Sequence, residues 1–269
     1  MKYKICPRFS ARSSKALSSF VVAGDVGTGE KGQHNVAKVM SCFFAANPFP
    51  LVLLTGDNIY SHGEMEKIKS TFEIPYQKLL QQKVKFYAAL GNHDTDNAYQ
   101  GEKQIRYAGF NMGDRYYTFE RGTVQFFALD TNPKAPWQKQ LDWLEQELKQ
   151  TKQPWKVVFG HHPLYSSGMH GGSSELIEKL SPLFARYGVQ LYLNGHDHDY
   201  ERTTVINGTT YVTCGNGGAK PRDVGKSEWT AYSVSRLGFA AVEVYSDRLE
   251  VMGIGTNGKI FDRGEVPLG

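Results

Sequence analysis

Short apolar runs, each closed by glycine and a polar group, recur along this chain. Leu51–Leu54 reads as a strand buried on both faces, since four consecutive apolar residues suit a sheet that is covered on either side. It ends at Gly56-Asp57-Asn58, a turn signal. Residues 19–23 (SFVVA) form an earlier strand of the same kind and end in Gly24-Asp25-Val26-Gly27. Between the two, Val36, Val39, Met40, Phe43 and Phe44 recur at helical spacing until Asn47-Pro48 stops them. The result is a βαβ unit, whose right-handed crossover sets Asp25 and Asp57 at one sheet edge. In open α/β sheets, ligands bind at that edge.

The pattern continues with a helix over 64–81 broken near Pro75, a strand over 85–90, and an irregular polar stretch over 95–114. Residues 116–120 and 124–129 make a hairpin across Arg121-Gly122. Residues 137–150 form an amphipathic helix with Leu141, Leu144 and Leu148 on one face. A strand over 156–159, a helix over 174–187 and a strand over 190–193 follow. The remainder is β-rich, with hairpin turns at Asn207-Gly208 and Asn257-Gly258 and strands at 240–245 and 249–254. Alternating β and α followed by strands predicts an α/β (α+β, four-layer) fold, with two mixed sheets packed as a sandwich and flanked by helices. No composition shift marks a boundary, so 19–269 is expected to be one domain behind an N-terminal extension of residues 1–18.

Composition excludes more than it selects. Of 269 residues, 40% are hydrophobic and 22% charged, and no apolar run approaches a membrane span. The net charge of +4 leans weakly toward anionic partners. No basic, aromatic-interleaved patch argues for nucleic acid, and no membrane association is expected. The first eighteen residues are basic and Ser-rich without an apolar core, so they do not read as a secretory signal. A compartment is left open between the cytoplasm and export after removal of a signal, and the oligomeric state is not legible. The cysteines, Cys6, Cys42 and Cys214, have no motif spacing, and their odd number argues against a disulfide framework.

Five strands end in glycine followed at once by a candidate ligand: GDVG (24–27), GDNIY (56–60), GNHD (91–94), GHHP (160–163) and GHDH (195–198). Glycine lets backbone and ligand approach closely. Each cluster alone has a bland reading as a helix cap, a turn or an exposed loop; five at the same kind of position do not. Asp57, with Tyr60 three residues on, offers a carboxylate and a phenol, a hard oxygen site suited to a highly charged metal ion.

In order and spelling, these motifs resemble the metallophosphoesterase superfamily, and within it the small, single-domain purple acid phosphatases. The resemblance runs from about Phe20 to His198. Most of the superfamily has Asp-X-His in the first motif; here Gly27 stands at the histidine's place and Tyr60 supplies a replacement ligand, as in purple acid phosphatases. The resemblance implies two metal ions. One, Fe(III), would be held by Asp25, Asp57, Tyr60 and His198. The other, Fe(II), Zn(II) or Mn(II), would be held by Asp57, Asn92, His161 and His196, with Asp57 bridging. It implies hydrolysis of phosphate monoesters by attack of a metal-bound hydroxide on small phosphorylated substrates, releasing inorganic phosphate. His93 is then the leading proton donor to the leaving group, with Asp94 orienting it, and His170 is a second substrate-side histidine. His162 is expected to be structural, and His62, Lys220 and Arg222 to lie on solvated surface, with help in binding the substrate anion as the alternative for Lys220 and Arg222. No long insertion lies between Asp130 and Trp155, so a lid-like inhibitory loop is not expected there. The alternatives are a phosphodiesterase or nucleotidase of the same superfamily, or a non-catalytic metal- or phosphate-binding protein on the same scaffold.

Overall fold

The computed structural model describes residues 6–96 and 101–269. Its first half alternates as expected: β1 (Ser18–Ala23), α1 (Lys31–Ala46), β2 (Leu51–Leu54), then α2 (Gln77–Gln81) and β3 (Lys85–Ala88). Strand β1 runs parallel to β2, with Val21 opposite Val52, and β2 runs parallel to β3. The helix expected over 64–81 is instead three short pieces, a 3₁₀ turn at Met65–Lys67, a π-turn at Lys69–Glu73 and α2. The break falls at 74–76, where Pro75 cannot donate to a helical ladder. The polar stretch after β3 carries α3 (Asn92–Thr95), α4 (Glu102–Ile105) and a 3₁₀ turn at Ala108–Phe110, and part of it, 97–100, lies outside the described residues.

Next come β4 (Tyr117–Arg121), β5 (Val124–Ala128), α5 (Trp137–Gln150), β6 (Trp155–Phe159), α6 (Ser174–Tyr187) and β7 (Leu191–Asn194). The β-rich end supplies β8 (Tyr200–Thr203), β9 (Thr210–Cys214), β10 (Thr230–Val234), β11 (Gly238–Val244), β12 (Arg248–Gly255) and β13 (Ile260–Pro267). Two mixed sheets result, six-stranded β13-β12-β11-β1-β2-β3 and seven-stranded β10-β8-β9-β7-β6-β5-β4.

Side-chain alternation explains why the strand sequences are continuously apolar. In β5, β6 and β7, Phe126, Val157, Phe159, Leu191 and Leu193 join the core between the sheets. Their neighbours Phe127, Val158 and Tyr192 face the other way, onto Leu144 and Leu148 of α5 and Leu180 and Phe184 of α6. A strand wet on neither face has no polar position to give up. Helix α1 covers the six-stranded sheet, with Phe43 set against Phe239 at 6.0 Å between centroids. Across the sandwich, Phe20 meets Phe126 edge-on at 5.1 Å, and Trp155 Nε1 donates to the Tyr245 carbonyl. Among the described residues, no helix is long and apolar enough to cross a membrane.

One expectation from cysteine arithmetic is corrected. Cys6 and Cys42 form a disulfide, and only Cys214 is free, buried at the end of β9. The odd count hid a pair because one cysteine lies in the N-terminal segment and its partner on the buried side of α1. Phe9 packs on Phe43 in the same place, and Asn47 Nδ2 donates to the Ser10 carbonyl. Residues 6–17 are thus fastened to the body of the fold. Closing a loop across 36 residues of sequence is worth about 3–4 kcal/mol in the chain-entropy account. Replacing both cysteines by serine should therefore lower the urea midpoint of unfolding by a margin of that order, while metal content is unchanged. An unmoved midpoint would show that the link contributes nothing.

Candidate metal centre

The five Gly-polar clusters converge on one edge of the sandwich. Asp25 follows β1, Asp57 follows β2, Asn92 opens α3 after β3, His161 follows β6, and His196 and His198 follow β7. Hydrogen bonds run between these loops and not only within them. The Asp25 N–H donates to the Gly56 carbonyl, the Gly195 N–H to the His161 carbonyl, and the Gly217 N–H to the Gly24 carbonyl. Asp25, Asp57 and His196 all hold the left-handed backbone region, at φ 56°, 53° and 72°. Non-glycine residues seldom adopt it, and such strain gathers at functional sites.

Close packing between clusters explains the glycines. A Cβ on Gly91 would sit 2.1 Å from Asp57 Oδ1, and one on Gly195 would sit 2.4 Å from Asp25 Oδ2. Each glycine vacates the space that another cluster's carboxylate fills.

On one side of the site, the Tyr60 hydroxyl lies 3.1 Å from Asp25 Oδ1 and 3.3 Å from His198 Nε2, and His198 Nε2 is 3.4 Å from Asp25 Oδ1. On the other, Asn92 Oδ1 is 2.9 Å from His161 Nε2 and 3.1 Å from His196 Nδ1, and these two nitrogens are 3.2 Å apart. Asp57 stands between the two groups, with Oδ1 3.5 Å from His161 Nε2. All seven residues singled out from the sequence as metal ligands are thus brought together.

Outer contacts aim these groups. His161 Nδ1–H donates to the Thr55 carbonyl at 2.9 Å, which leaves the Nε2 lone pair pointing inward. His198 Nδ1 is bonded to the Lys220 carbonyl at 3.1 Å. Backbone N–H groups of His196 and His93 donate to Asp25 Oδ2 and Asp57 Oδ1. Anchors of this kind fix the orientation and tautomer of metal ligands.

The donor set fits metal ions and little else. Asp25 and Asp57 are 0% and 1% exposed. Among the described residues, their ion-pair partners are histidines, with no lysine or arginine. Burial pushes the Asp57 carboxyl above its usual range; His161 opposes this, and Asp25 adds to it. Burial first, then Asp25 and Asp57, pushes the Tyr60 phenol far up. His196 is pushed down by burial and by His161, His162 and His170. Burial also lowers the His161 pKa, but Asp57 and Asp25 outweigh it and leave it raised. Two unpaired buried carboxylates would cost several kcal/mol each, and multivalent cations at this point remove that cost. The oxygen-rich half suits a hard ion and the imidazole half a divalent one.

The rest of the sequence expectations fare unevenly. His93 lines the rim, with Nδ1 donating to the Ser61 carbonyl at 2.6 Å and Nε2 4.0 Å from Asp57 Oδ2. Asp94 does not orient that ring, which corrects the expectation. It accepts from the backbone N–H groups of Gly91, Asn58 and Ile59 and from Gln104 Nε2, clasping the second and third clusters together. Burial and Asp57 raise its pKa to about 6. His170 also reaches the rim, with its ring 4.2 Å from that of His196. Asp197, unremarked in the sequence, holds both the N–H and Nδ1 of His170 at 2.9 Å. The alternation in GHDH points Asp197 away from the centre while its histidine neighbours point in. His162 borders the site, 4.6 Å from the His196 ring, and is bonded to Thr131 Oγ1. Burial, then His161 and His170, lowers its pKa to about 3. His62 lies on the surface against Asp96, as expected. Arg222 is partly exposed, and its Nη1 lies 3.2 Å from His170. A cleft of about 540 Å³ opens beside Asn92 and His93, lined also by Arg115, Asp130 and Lys134.

The sequence profile of the calcineurin-like phosphoesterases matches residues 18–200. Purple acid phosphatase 7 of Arabidopsis thaliana is 29% identical over 241 residues, covering 77% of this chain and 72% of the relative. Among solved structures, GAP50, the anchor in the inner membrane complex of Plasmodium, superposes with a TM-score of 0.81 at 22% identity, over 95% of this chain and 90% of that one. Purple acid phosphatase PPD1 from yellow lupin seeds gives 0.77 at 21% identity, over 96% of this chain and 55% of that one. At these identities, the two structures establish the fold alone.

Replacing Gly91 by alanine should displace the Asp57 carboxylate. The purified variant is expected to fold, by circular dichroism, yet to carry less than half of the parent's metal by elemental analysis. Full metal content would mean that Asp57 is not a shared ligand.

Proposed function

The chain belongs to the calcineurin-like phosphoesterase family, and we propose that within it the protein is a metal-dependent phosphomonoesterase of the purple acid phosphatase type. One observation carries the subtype. A Cβ at Gly27 would meet the Asn58 carbonyl at 2.3 Å, so no side chain fits there. The Tyr60 N–H donates to the Gly27 carbonyl at 2.9 Å, and its phenol closes on Asp25 and His198 instead. The loop that forbids a histidine at 27 is the loop that delivers the tyrosine.

Fe(III) is proposed among Asp25, Asp57, Tyr60 and His198, and Fe(II), Zn(II) or Mn(II) among Asp57, Asn92, His161 and His196. When bound, such a pair neutralises phosphoryl charge and acidifies water to serve as the nucleophile. The remaining chemistry belongs to side chains. His93 stands on the open face between Asp57 and the cleft. Its Nδ1 hydrogen is committed to the Ser61 carbonyl, so Nε2 is the nitrogen that faces a leaving group and passes it a proton. Tyr60 packs against the ring at 4.6 Å and limits its swing. His170, steadied by Asp197 and set against the His196 ring, is the second side chain proposed to meet the phosphate. Small phosphorylated compounds are the proposed substrates and inorganic phosphate the product. The disulfide supports an oxidising compartment as the place of work.

Two tests follow. The oxidised, iron-loaded protein should absorb visible light through charge transfer from Tyr60, and Tyr60→Phe should bleach it; equal absorbance in the variant would remove Tyr60 from the iron. His93→Ala should lower monoester turnover by roughly 10²–10⁴ and keep both metals, because the backbone N–H that holds Asp57 survives the change. Loss of metal would move His93 from proton transfer to the metal shell.

A further inference from the structure

Arg222 sits at the rim of the proposed metal centre, against His170. Its segment is stitched to the site at three points. The Arg222 N–H donates to the His198 carbonyl at 3.0 Å, His198 Nδ1 is bonded to the Lys220 carbonyl, and the Gly225 N–H donates to the Ser167 carbonyl. The backbone that carries Arg222 is therefore tied to the loop that carries His198, a proposed ligand. The Arg222 Nη1 lies 3.2 Å from the ring nitrogens of His170, whose ring stacks 4.2 Å from that of His196. Among the described residues, no carboxylate lies within ion-pairing distance of Arg222. Asp199, whose carboxylate oxygens have no hydrogen-bond partner, acts on it only through space.

A partly exposed guanidinium set against His170, with no carboxylate paired to it among the described residues, is available to an anion that enters the open face. Arginine presents a planar fork of N–H groups, which matches phosphate oxygens better than a point charge does. A metal pair held by the proposed ligands would engage two phosphoryl oxygens. A monoester dianion has a third non-bridging oxygen with its share of charge; a diester has none.

Resting on the phosphoesterase reading, we propose that Arg222 takes this third oxygen and thereby selects phosphate monoesters, and free phosphate, over diesters. In the free protein, the guanidinium is parked on His170; when phosphate enters, both groups turn to it together.

The test compares 4-nitrophenyl phosphate with bis(4-nitrophenyl) phosphate, which share a leaving group, on the parent and on Arg222→Ala, Arg222→Gln and Arg222→Lys. For Ala and Gln, KM on the monoester and the inhibition constant of inorganic phosphate should rise roughly tenfold to a hundredfold, the usual worth of a charged hydrogen bond. The diester should change far less, so the selectivity ratio falls, and Lys should recover part of it. Metal content should stay at the parent's level throughout. Equal losses on both esters, or no change in phosphate inhibition, would overturn the assignment. A parent that turns over neither ester would instead overturn the enzymatic reading. Calorimetric titration of the metal-loaded proteins with phosphate then still decides: undiminished phosphate affinity in Arg222→Ala refutes the contact.

Discussion

Two carboxylates buried side by side, with no lysine or arginine paired to them among the described residues, set the terms for this structure. Asp25 and Asp57 have almost no access to water and, among the described residues, no lysine or arginine paired with them. Such an arrangement persists only when its charge is met from outside the chain. The surrounding groups answer in kind. A phenol and an imidazole crowd Asp25, an amide oxygen and two imidazoles crowd the far side of Asp57, and each inner imidazole has its other nitrogen or its backbone tied down. The protein lays out lone pairs toward two points and leaves the positive charge to be supplied.

Holding that arrangement costs backbone strain, and the sheets carry it. The ligand loops leave buried parallel strands whose side chains are locked on both faces, so the loop ends have little freedom to relax. Asp25, Asp57 and His196 then occupy the left-handed region, and glycines stand where a side chain would strike a neighbouring carboxylate. Asp94 serves the same end with a different device, spending its carboxylate on backbone N–H groups of two loops at once. Fold and site are one construction, because each loop is a wall of the next loop's pocket.

Much of this was legible in the sequence, for reasons that are local. A run such as Leu51–Leu54 followed by Gly-Asp states both burial and chain reversal, so strand ends and ligands were read together. The helices Trp137–Gln150 and Ser174–Tyr187 have clear amphipathic periods and matched at both ends. What failed depended on distance in space. The pairing of Cys6 with Cys42 has no spacing rule behind it, and the count of three misled. The role of Asp197 and the contact of Arg222 come from packing against His170, which is 27 and 52 residues away in sequence, so the sequence leaves Asp197 without a role and favours plain surface for Arg222. Asp94 sits beside His93 in sequence, but helix geometry turns it inward, so adjacency suggested the wrong partner. Strands β8, β10 and β13 carry mixed sequences, among them Tyr-Glu-Arg-Thr, whose glutamate and arginine are satisfied by Ser167 and Asp262; an alternation rule does not see such partners.

The most direct test is anomalous diffraction from crystals of the metal-loaded protein, with data collected on either side of the iron edge. The account predicts two peaks roughly 3.5–4 Å apart, with Asp57 between them, one among Asp25, Tyr60 and His198 and the other among Asn92, His161 and His196. A single peak, or density that leaves Asp57 without a metal contact, would contradict it.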